Sequence, residues 1–164
     1  MKSKAEYAAF MGIALALTAA LSLLDSLISS AFPVPGIRLG LANIAVIAIL
    51  IKYGVPSGLV ISLLRSGFVF LTRGAAAALM SLGGGIAAFA ASAILIIVMK
   101  RSLKFSCVIS ALCHICGQLA ASCILTKSIY TLAYAPLLIP VSFLTGYLTG
   151  TILQCINKFI TGKE

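Results

Sequence analysis

The chain has 164 residues, of which 62% are hydrophobic and 9% are charged, and its formal net charge is +9. Its mean hydropathy is +1.19, whereas a soluble domain needs many more charged side chains to cover its surface. This composition excludes an ordinary soluble domain and indicates an integral membrane protein. Because about 20 apolar residues cross a bilayer as a helix, the length allows about six crossings in one domain spanning residues 1–164.

The apolar runs predict an all-α bundle of six transmembrane helices, separated by short connections that contain glycine, proline or charge. The first run follows Lys2 and Lys4 as a signal peptide would, but it is too long for one and is interpreted as a helix. The predicted spans in chain order are Ala8–Ser30, Ile37–Tyr53, Val55–Leu71, Ala75–Met99, Phe105–Thr126 and Tyr134–Ile156.

The basic residues are concentrated on one side of this predicted bundle. The positive-inside rule then places both termini in the cytoplasm of a bacterial cell, with the bundle in the cell membrane. The charge is interpreted as a topology signal strengthened by the lipid bilayer, and no nucleic-acid partner is expected. The terminal side holds Lys2, Lys4, Lys52, Lys100, Arg101, Lys104, Lys158 and Lys163, and the outer side holds Arg38, Arg73 and Lys127.

The chain has five cysteines, and four of them fall in the fifth predicted helix. Cys113 and Cys116 enclose His114 in the sequence CHIC. Haem attachment needs the histidine after the second cysteine, and a structural zinc site needs four converging ligands. Because neither pattern is present, we interpret the cysteines as packing residues and expect no metal and no cofactor.

Polar residues of the first three helices fall at one depth, in the outer half of the predicted bundle. Asp25 lies near the outer end of the first helix, and Asn43 lies in the first turns of the second. Arg65 lies 13 residues beyond Lys52 in the sequence, or about 20 Å from the inner surface at 1.5 Å per residue. Charged residues inside membrane spans face a cavity or a partner, so this set marks a candidate site.

The fifth helix adds His114 near the midplane and Gln118 one turn further out on the same face. With Arg38 in the outer loop, the set predicts an outward-facing pocket for a small anionic or polar molecule. Arginine suits such a ligand because its guanidinium can donate two hydrogen bonds to a carboxylate or phosphate. The alternative is an ion pair between Asp25 and Arg65 that only ties helices together.

Two segments rich in glycine or proline complete the predicted pocket. The stretch PVPGIRLGLANI, residues 33–44, is interpreted as a gating loop in which Pro35, Gly36 and Gly40 provide stiffness and turns. The sequence SLGGG in the fourth helix lets a neighbour or a ligand approach the backbone, and plain helix packing is the alternative for both segments. Its glycines are Gly83, Gly84 and Gly85.

Small residues recur every four positions along two predicted helices, and such ridges allow close helix contact in lipid. On the first helix, docking to another membrane protein and internal packing are both open. On the sixth helix, internal packing is favoured. The ridges are Ala8, Gly12, Ala16 and Ala20 on the first helix, and Ser142, Gly146 and Gly150 on the sixth.

Three of these motifs together resemble the Gx transporter family, whose members are often labelled heptaprenyl diphosphate synthase component I. They are PGIRLGLANI, SLGGG and the H-x-x-G-Q-L of residues 114–119, although Ile115 stands where the family often has asparagine. The family is similar to the substrate-binding S components of energy-coupling-factor (ECF) transporters. The resemblance implies six helices, an outward pocket gated by the first loop, and a first-helix ridge, matched by Ala16 and Ala20, that contacts a transmembrane coupling subunit.

The synthase label implies chemistry that this chain lacks the residues to perform. Such enzymes hold magnesium and a diphosphate with aspartate-rich motifs, whereas the only carboxylates here are Glu6, Asp25 and Glu164. The terminal TGKE is too short for a Walker A loop, so any ATP-driven step needs partner ATPases. We expect a non-enzymatic subunit of an ECF-type transporter that binds a small anionic or polar solute, with isoprenoid-, quinone- and vitamin-related molecules among the candidates. The alternative is a membrane accessory subunit of prenyl diphosphate or quinone synthesis, or of extracellular electron transfer.

Overall fold

The structure, a computed structural model, describes residues 4–30 and 40–161, and every regular element in these ranges is a helix. The all-helical fold predicted from the apolar runs is therefore confirmed. The helices are α1 (Lys4–Ser30), α2 (Leu41–Tyr53), α3 (Val55–Ala93), α4 (Leu103–Thr126) and α5 (Ala135–Thr161), with a π-helical turn at Ile94–Val98 and a 3-10 helix at Ile129–Tyr134.

Within the described ranges, four helical stretches are long and apolar enough to cross a membrane. Helix α2 is shorter, with 13 residues, although it is more apolar than the long helices and largely buried. Several long apolar helices in one chain are the pattern of a multi-pass membrane protein. The four stretches are Lys4–Ile28, Val55–Val98, Leu103–Thr126 and Ile129–Asn157.

Helix α3 spans 39 residues and consists of two helical halves that meet at Gly74, in agreement with the two helices that the sequence predicted on either side of this glycine. It is interrupted at Gly74, whose φ of 83° and ψ of 178° are not helical, and only glycine adopts such a conformation readily. The two halves fold back on each other: a Cβ at Gly58 would lie 2.7 Å from the Phe89 ring, and one at Gly85 would lie 3.3 Å from Ser62 Oγ. Helix α3 is therefore a helical hairpin that turns at a single residue.

The start of α2 differs from the prediction. The second helix was expected to begin at Ile37, but Gly40 has a φ of 71° and the helix begins after it, at Leu41. A left-handed residue cannot continue a right-handed helix, so α2 cannot extend through Gly40. A smaller difference occurs at the other end of the hairpin, where the last turn before Met99 is π-helical.

The two ends of the bundle are named after the turn glycines that lie at them, Gly54 and Gly74. The Gly54 end holds the start of α1 and the turn at residues 99–102, and a hydrogen bond of 2.8 Å joins Tyr7 and Ser57 there. The Gly74 end holds the last turns of α1, the start of α2 and residues 126–135. At this end Arg73 donates a hydrogen bond of 2.8 Å to Ser26.

The ridges on the first and last helices have opposite environments. On α5 a Cβ at Gly146 or Gly150 would lie 2.8 Å from the backbone of α4, so this ridge packs internally, as predicted. The α1 ridge is exposed at all four positions, and no described atom lies within 4 Å of a Cβ placed at Gly12. The described residues therefore do not pack against this ridge as α4 packs against the α5 ridge, and docking to another membrane protein stays a prediction. The buried face of α1 carries Ala14, Thr18, Ser22 and Asp25 instead.

Candidate functional site

A buried polar cluster joins α1, α2 and α3. The guanidinium of Arg65 donates a hydrogen bond of 2.7 Å to Asn43 Oδ1, and Asp25 on α1 interacts with the same guanidinium electrostatically. Arg65 and Asp25 are each only 2% exposed. Burying the charge of an arginine costs free energy unless an opposite charge offsets it, and Asp25 provides that charge here. These contacts tie α1, α2 and α3 together near the Gly74 end.

A second polar pair lies on α4. Nε2 of Gln118 is 3.1 Å from Nε2 of His114, one turn earlier, and both side chains are buried. Gly84 of α3 makes room for this pair, because a Cβ there would lie 2.6 Å from Gln118 Cγ and 2.9 Å from His114 Cε1. Gly84 belongs to the SLGGG segment, which was predicted from the sequence to allow close approach. It lets the polar face of α4, with His114 and Gln118, pack directly against α3.

The two polar groups meet at a small internal cavity. Asn43 and His114 both line it, together with Ser110 and Thr145, and its volume is about 10 Å³. That is close to the smallest space that holds one water molecule, and the lining is polar enough to bind one. The structure therefore brings five of the predicted site residues into one region, namely Asp25, Asn43, Arg65, His114 and Gln118.

The predicted gating loop is only partly covered by the structure. Pro35, Gly36 and Arg38 lie outside the described residues. Gly40 is described, lines the small cavity and precedes α2 in the left-handed conformation, so that its carbonyl accepts a hydrogen bond of 2.9 Å from the Asn43 backbone. The hydrogen bond to Gly40 therefore helps to fix the position of the Asn43 backbone, from which the side chain extends towards Arg65.

The three predicted glycines of SLGGG have separate contacts. Gly83 crosses Gly117 of α4 so closely that a Cβ on Gly83 would lie 2.9 Å from the Gly117 carbonyl oxygen. Gly84 faces His114 and Gln118, and Gly85 faces Ser62 of the other half of α3. Each glycine permits a helix contact. Gly84 lies directly against His114 and Gln118 of the predicted site, and Gly85 lines a small cavity together with Asn43.

A larger cavity of about 300 Å³ lies beyond Gln118, towards the Gly74 end. We call it the Gln118 cavity, and its size is at the lower limit of small-molecule sites. Prediction from the sequence missed it, although one signal was present: His114, Gln118, Ser122 and Thr126 recur every four residues and so share one face of α4. The lining residues are Met80, Gln118, Leu119, Ser122, Thr126, Thr131, Tyr134 and Leu138.

Over residues 13–156 the chain matches the family described as "Heptaprenyl diphosphate synthase component I". The chain belongs to this family. The match runs from within α1 to within α5, so it includes both polar groups and the Gln118 cavity, and it confirms the family resemblance drawn from the motifs. No curated protein and no solved structure gives a significant match.

The described carboxylates of this chain lie far apart along α1. Glu6 is in its first turn at the Gly54 end, whereas Asp25 is buried beside Arg65 near the Gly74 end. Nowhere in residues 4–28 and 40–157 do three or more histidine, cysteine, aspartate or glutamate side chains gather as a metal site would require. The chemistry that the described polar groups offer is hydrogen bonding and charge neutralisation.

Three of the cysteines have different surroundings. Cys107 is buried among Ile44, Ile47 and Leu153, where it packs as an apolar side chain. Cys116 is exposed and Cys123 partly exposed, and both line an apolar depression on the surface of α4.

Proposed function

We propose that this chain is a membrane-embedded, solute-binding subunit of an ECF-type transporter, with its site at the Gly74 end of the bundle. One observation carries the proposal: side chains from four helices converge on a buried polar region directly beside a cavity of small-molecule size. Buried polar and charged groups inside a membrane domain are costly and mark functional sites. The proposed solute is small, and anionic or polar.

The proposal includes six passes through the membrane. As one straight helix, the 44 residues of Val55–Val98 would extend about 66 Å, which is about twice the hydrocarbon thickness. Folding back at Gly74 turns this stretch into two passes. Helix α2, about 20 Å long, counts as a short pass.

The distribution of charge supports a cytoplasmic Gly54 end in a bacterial cell membrane. Described basic residues at this end outnumber those at the Gly74 end, where Arg73 and Lys127 lie, and the positive-inside rule assigns the richer end to the cytoplasm. The Gln118 cavity then lies in the outer half. The residues at the Gly54 end are Lys4, Lys52, Lys100, Arg101 and Lys104.

The proposed partners are a transmembrane coupling subunit and its ATPases. The exposed α1 ridge, residues Gly12, Ala16 and Ala20 with Ala8, supports a docking role, because a smooth helix face lets another helix approach closely in lipid. No catalytic step is proposed for this chain, since Glu6 and Asp25 are too far apart along α1 to hold one magnesium diphosphate.

The family description supports a second candidate, a non-catalytic membrane accessory subunit of prenyl diphosphate synthesis. Native mass spectrometry after gentle extraction separates the two. The transport proposal predicts a retained small molecule that is lost in Gln118→Leu and Asn43→Leu, and kept in Leu144→Met, a change at an exposed position on α5. Copurification of a soluble prenyl synthase, with no small molecule in any sample, would support the accessory role and refute the transport proposal.

A further inference from the structure

The Gln118 cavity differs in chemistry from the charged cluster beside it. None of its eight described lining residues is charged, and five of them carry a hydroxyl or amide group. Its remaining wall is apolar, formed by Met80, Leu119 and Leu138. A site with this lining binds an apolar body through burial of area and orients it through a few hydrogen bonds.

Several polar groups of the cavity have hydrogen-bonding capacity to spare. The side-chain hydroxyls of Ser122 and Tyr134 make no hydrogen bond to any described residue. Gln118 uses one amide atom for His114, which leaves the other amide atom for an occupant. The Thr126 hydroxyl donates a hydrogen bond of 2.9 Å to the Ser122 carbonyl and lies 3.2 Å from the Thr131 hydroxyl, so both threonines are already engaged. An occupant can therefore meet two or three hydrogen-bonding groups on the α4 and Tyr134 sides.

The nearest buried cation does not serve this cavity. Arg65 does not line it, and its guanidinium is already engaged by Asn43 and by the charge of Asp25. An anion placed in the cavity would lose its hydration and gain no cation from the described lining residues, which is costly. A neutral molecule avoids that loss.

From this geometry we infer that the Gln118 cavity takes an uncharged molecule with an apolar body and one or two hydroxyl or carbonyl groups. The inference rests on the proposed solute-binding function and narrows its solute class from anionic or polar to neutral. The apolar body packs against Met80, Leu119 and Leu138, and the oxygens of the molecule bond to Gln118, Ser122 and Tyr134.

A matched pair of probes tests the charge, namely 1-naphthol and 1-naphthoate, which share one ring system. The full-length protein is reconstituted in vesicles with its five native cysteines replaced by serine or alanine. A reporter thiol is introduced by Thr131→Cys in the cavity wall, or by Tyr130→Cys, which is 84% exposed and serves as the control. The rate of reaction with N-ethylmaleimide is then measured against probe concentration.

We expect 1-naphthol to slow labelling of Thr131→Cys but not of Tyr130→Cys. Half-protection by 1-naphthoate should need at least about tenfold more probe, because its carboxylate meets no cation. Adding Ser122→Leu, which fills part of the cavity, should abolish protection by 1-naphthol, whereas adding Leu144→Phe on the exposed face of α5 should not.

Equal or better protection by 1-naphthoate overturns the inference, as does failure of 1-naphthol to protect the Thr131→Cys thiol. If Ser122→Leu lowers the thermal midpoint of the protein, Thr126→Leu is used in its place. Protection by 1-naphthol must then be lost in the Thr126→Leu variant. If native mass spectrometry finds a retained anion, the proposed transport function stands and this inference alone fails.

Discussion

The first and last helices of the bundle carry the same small-residue spacing and use it in opposite ways. On α5, Gly146 and Gly150 lie in direct contact with the backbone of α4, whereas the α1 ridge is exposed and a Cβ at Gly12 would meet no described atom within 4 Å. Helix α1 is held by its other face, through Asp25, Ser26 and Tyr7. A spacing of four therefore shows that a helix can be approached closely, but not which neighbour approaches it.

The largest effect on stability should come from the charged contact that holds α1. Arg65→Met leaves Asp25 buried without its cation, and we expect a loss of about 3–5 kcal/mol in unfolding free energy. The double variant Asp25→Leu, Arg65→Met should recover most of it, since both charges are removed. Thermal unfolding in detergent measures both. If the single variant is as stable as the parent, charge does not hold α1.

The same type of substitution, glycine to leucine, compares the two ridges. Gly146→Leu forces a side chain into the α4 backbone, and overpacking of this kind costs about 1–3 kcal/mol. Gly12→Leu places the same side chain where no neighbour lies, so the isolated protein should keep its midpoint. Equal losses in the two variants would contradict the contrast between the helices.

A smaller loss is expected from the hydrogen bond that holds the start of α1. Tyr7→Phe removes the contact of 2.8 Å with Ser57 and keeps the ring that packs against Tyr53. The expected cost is about 1 kcal/mol, typical of one hydrogen bond. A double-mutant cycle with Ser57→Ala isolates it, and a coupling energy near zero would show that the bond contributes nothing.

The smallest change in stability is expected for Ala16→Trp, which should nevertheless have the largest effect on assembly with the proposed coupling subunit. Ala16→Trp lies on the exposed ridge, so the isolated protein should unfold at the parent temperature while copurification with the proposed coupling subunit is lost. Leu144→Trp adds the same bulk at an exposed position of α5 and should assemble normally. Intact assembly of Ala16→Trp would remove this ridge from the proposed interface.

The apolar runs were sufficient to predict the helices, because length and hydropathy are properties of single segments. Depth counting also brought Asn43 and Arg65 to one level, and the structure joins them. The face that α1 turns inward could not be predicted, because small residues recur every four positions on two of its faces. The Gln118 cavity was missed because its wall combines α3, α4, the 3-10 helix and α5, and the contacts between these elements are not encoded locally.

The single-residue turn at Gly74 fixes the register of everything that follows it. An insertion beside it would rotate the second half of α3 by about 100° relative to the first half. Gly83 and Gly84 would then no longer face α4, and side chains would replace them where two backbones now touch. A loop of several residues could absorb such a change, but a turn of one residue cannot. Chain length at this point is therefore as constrained as the identity of any buried residue.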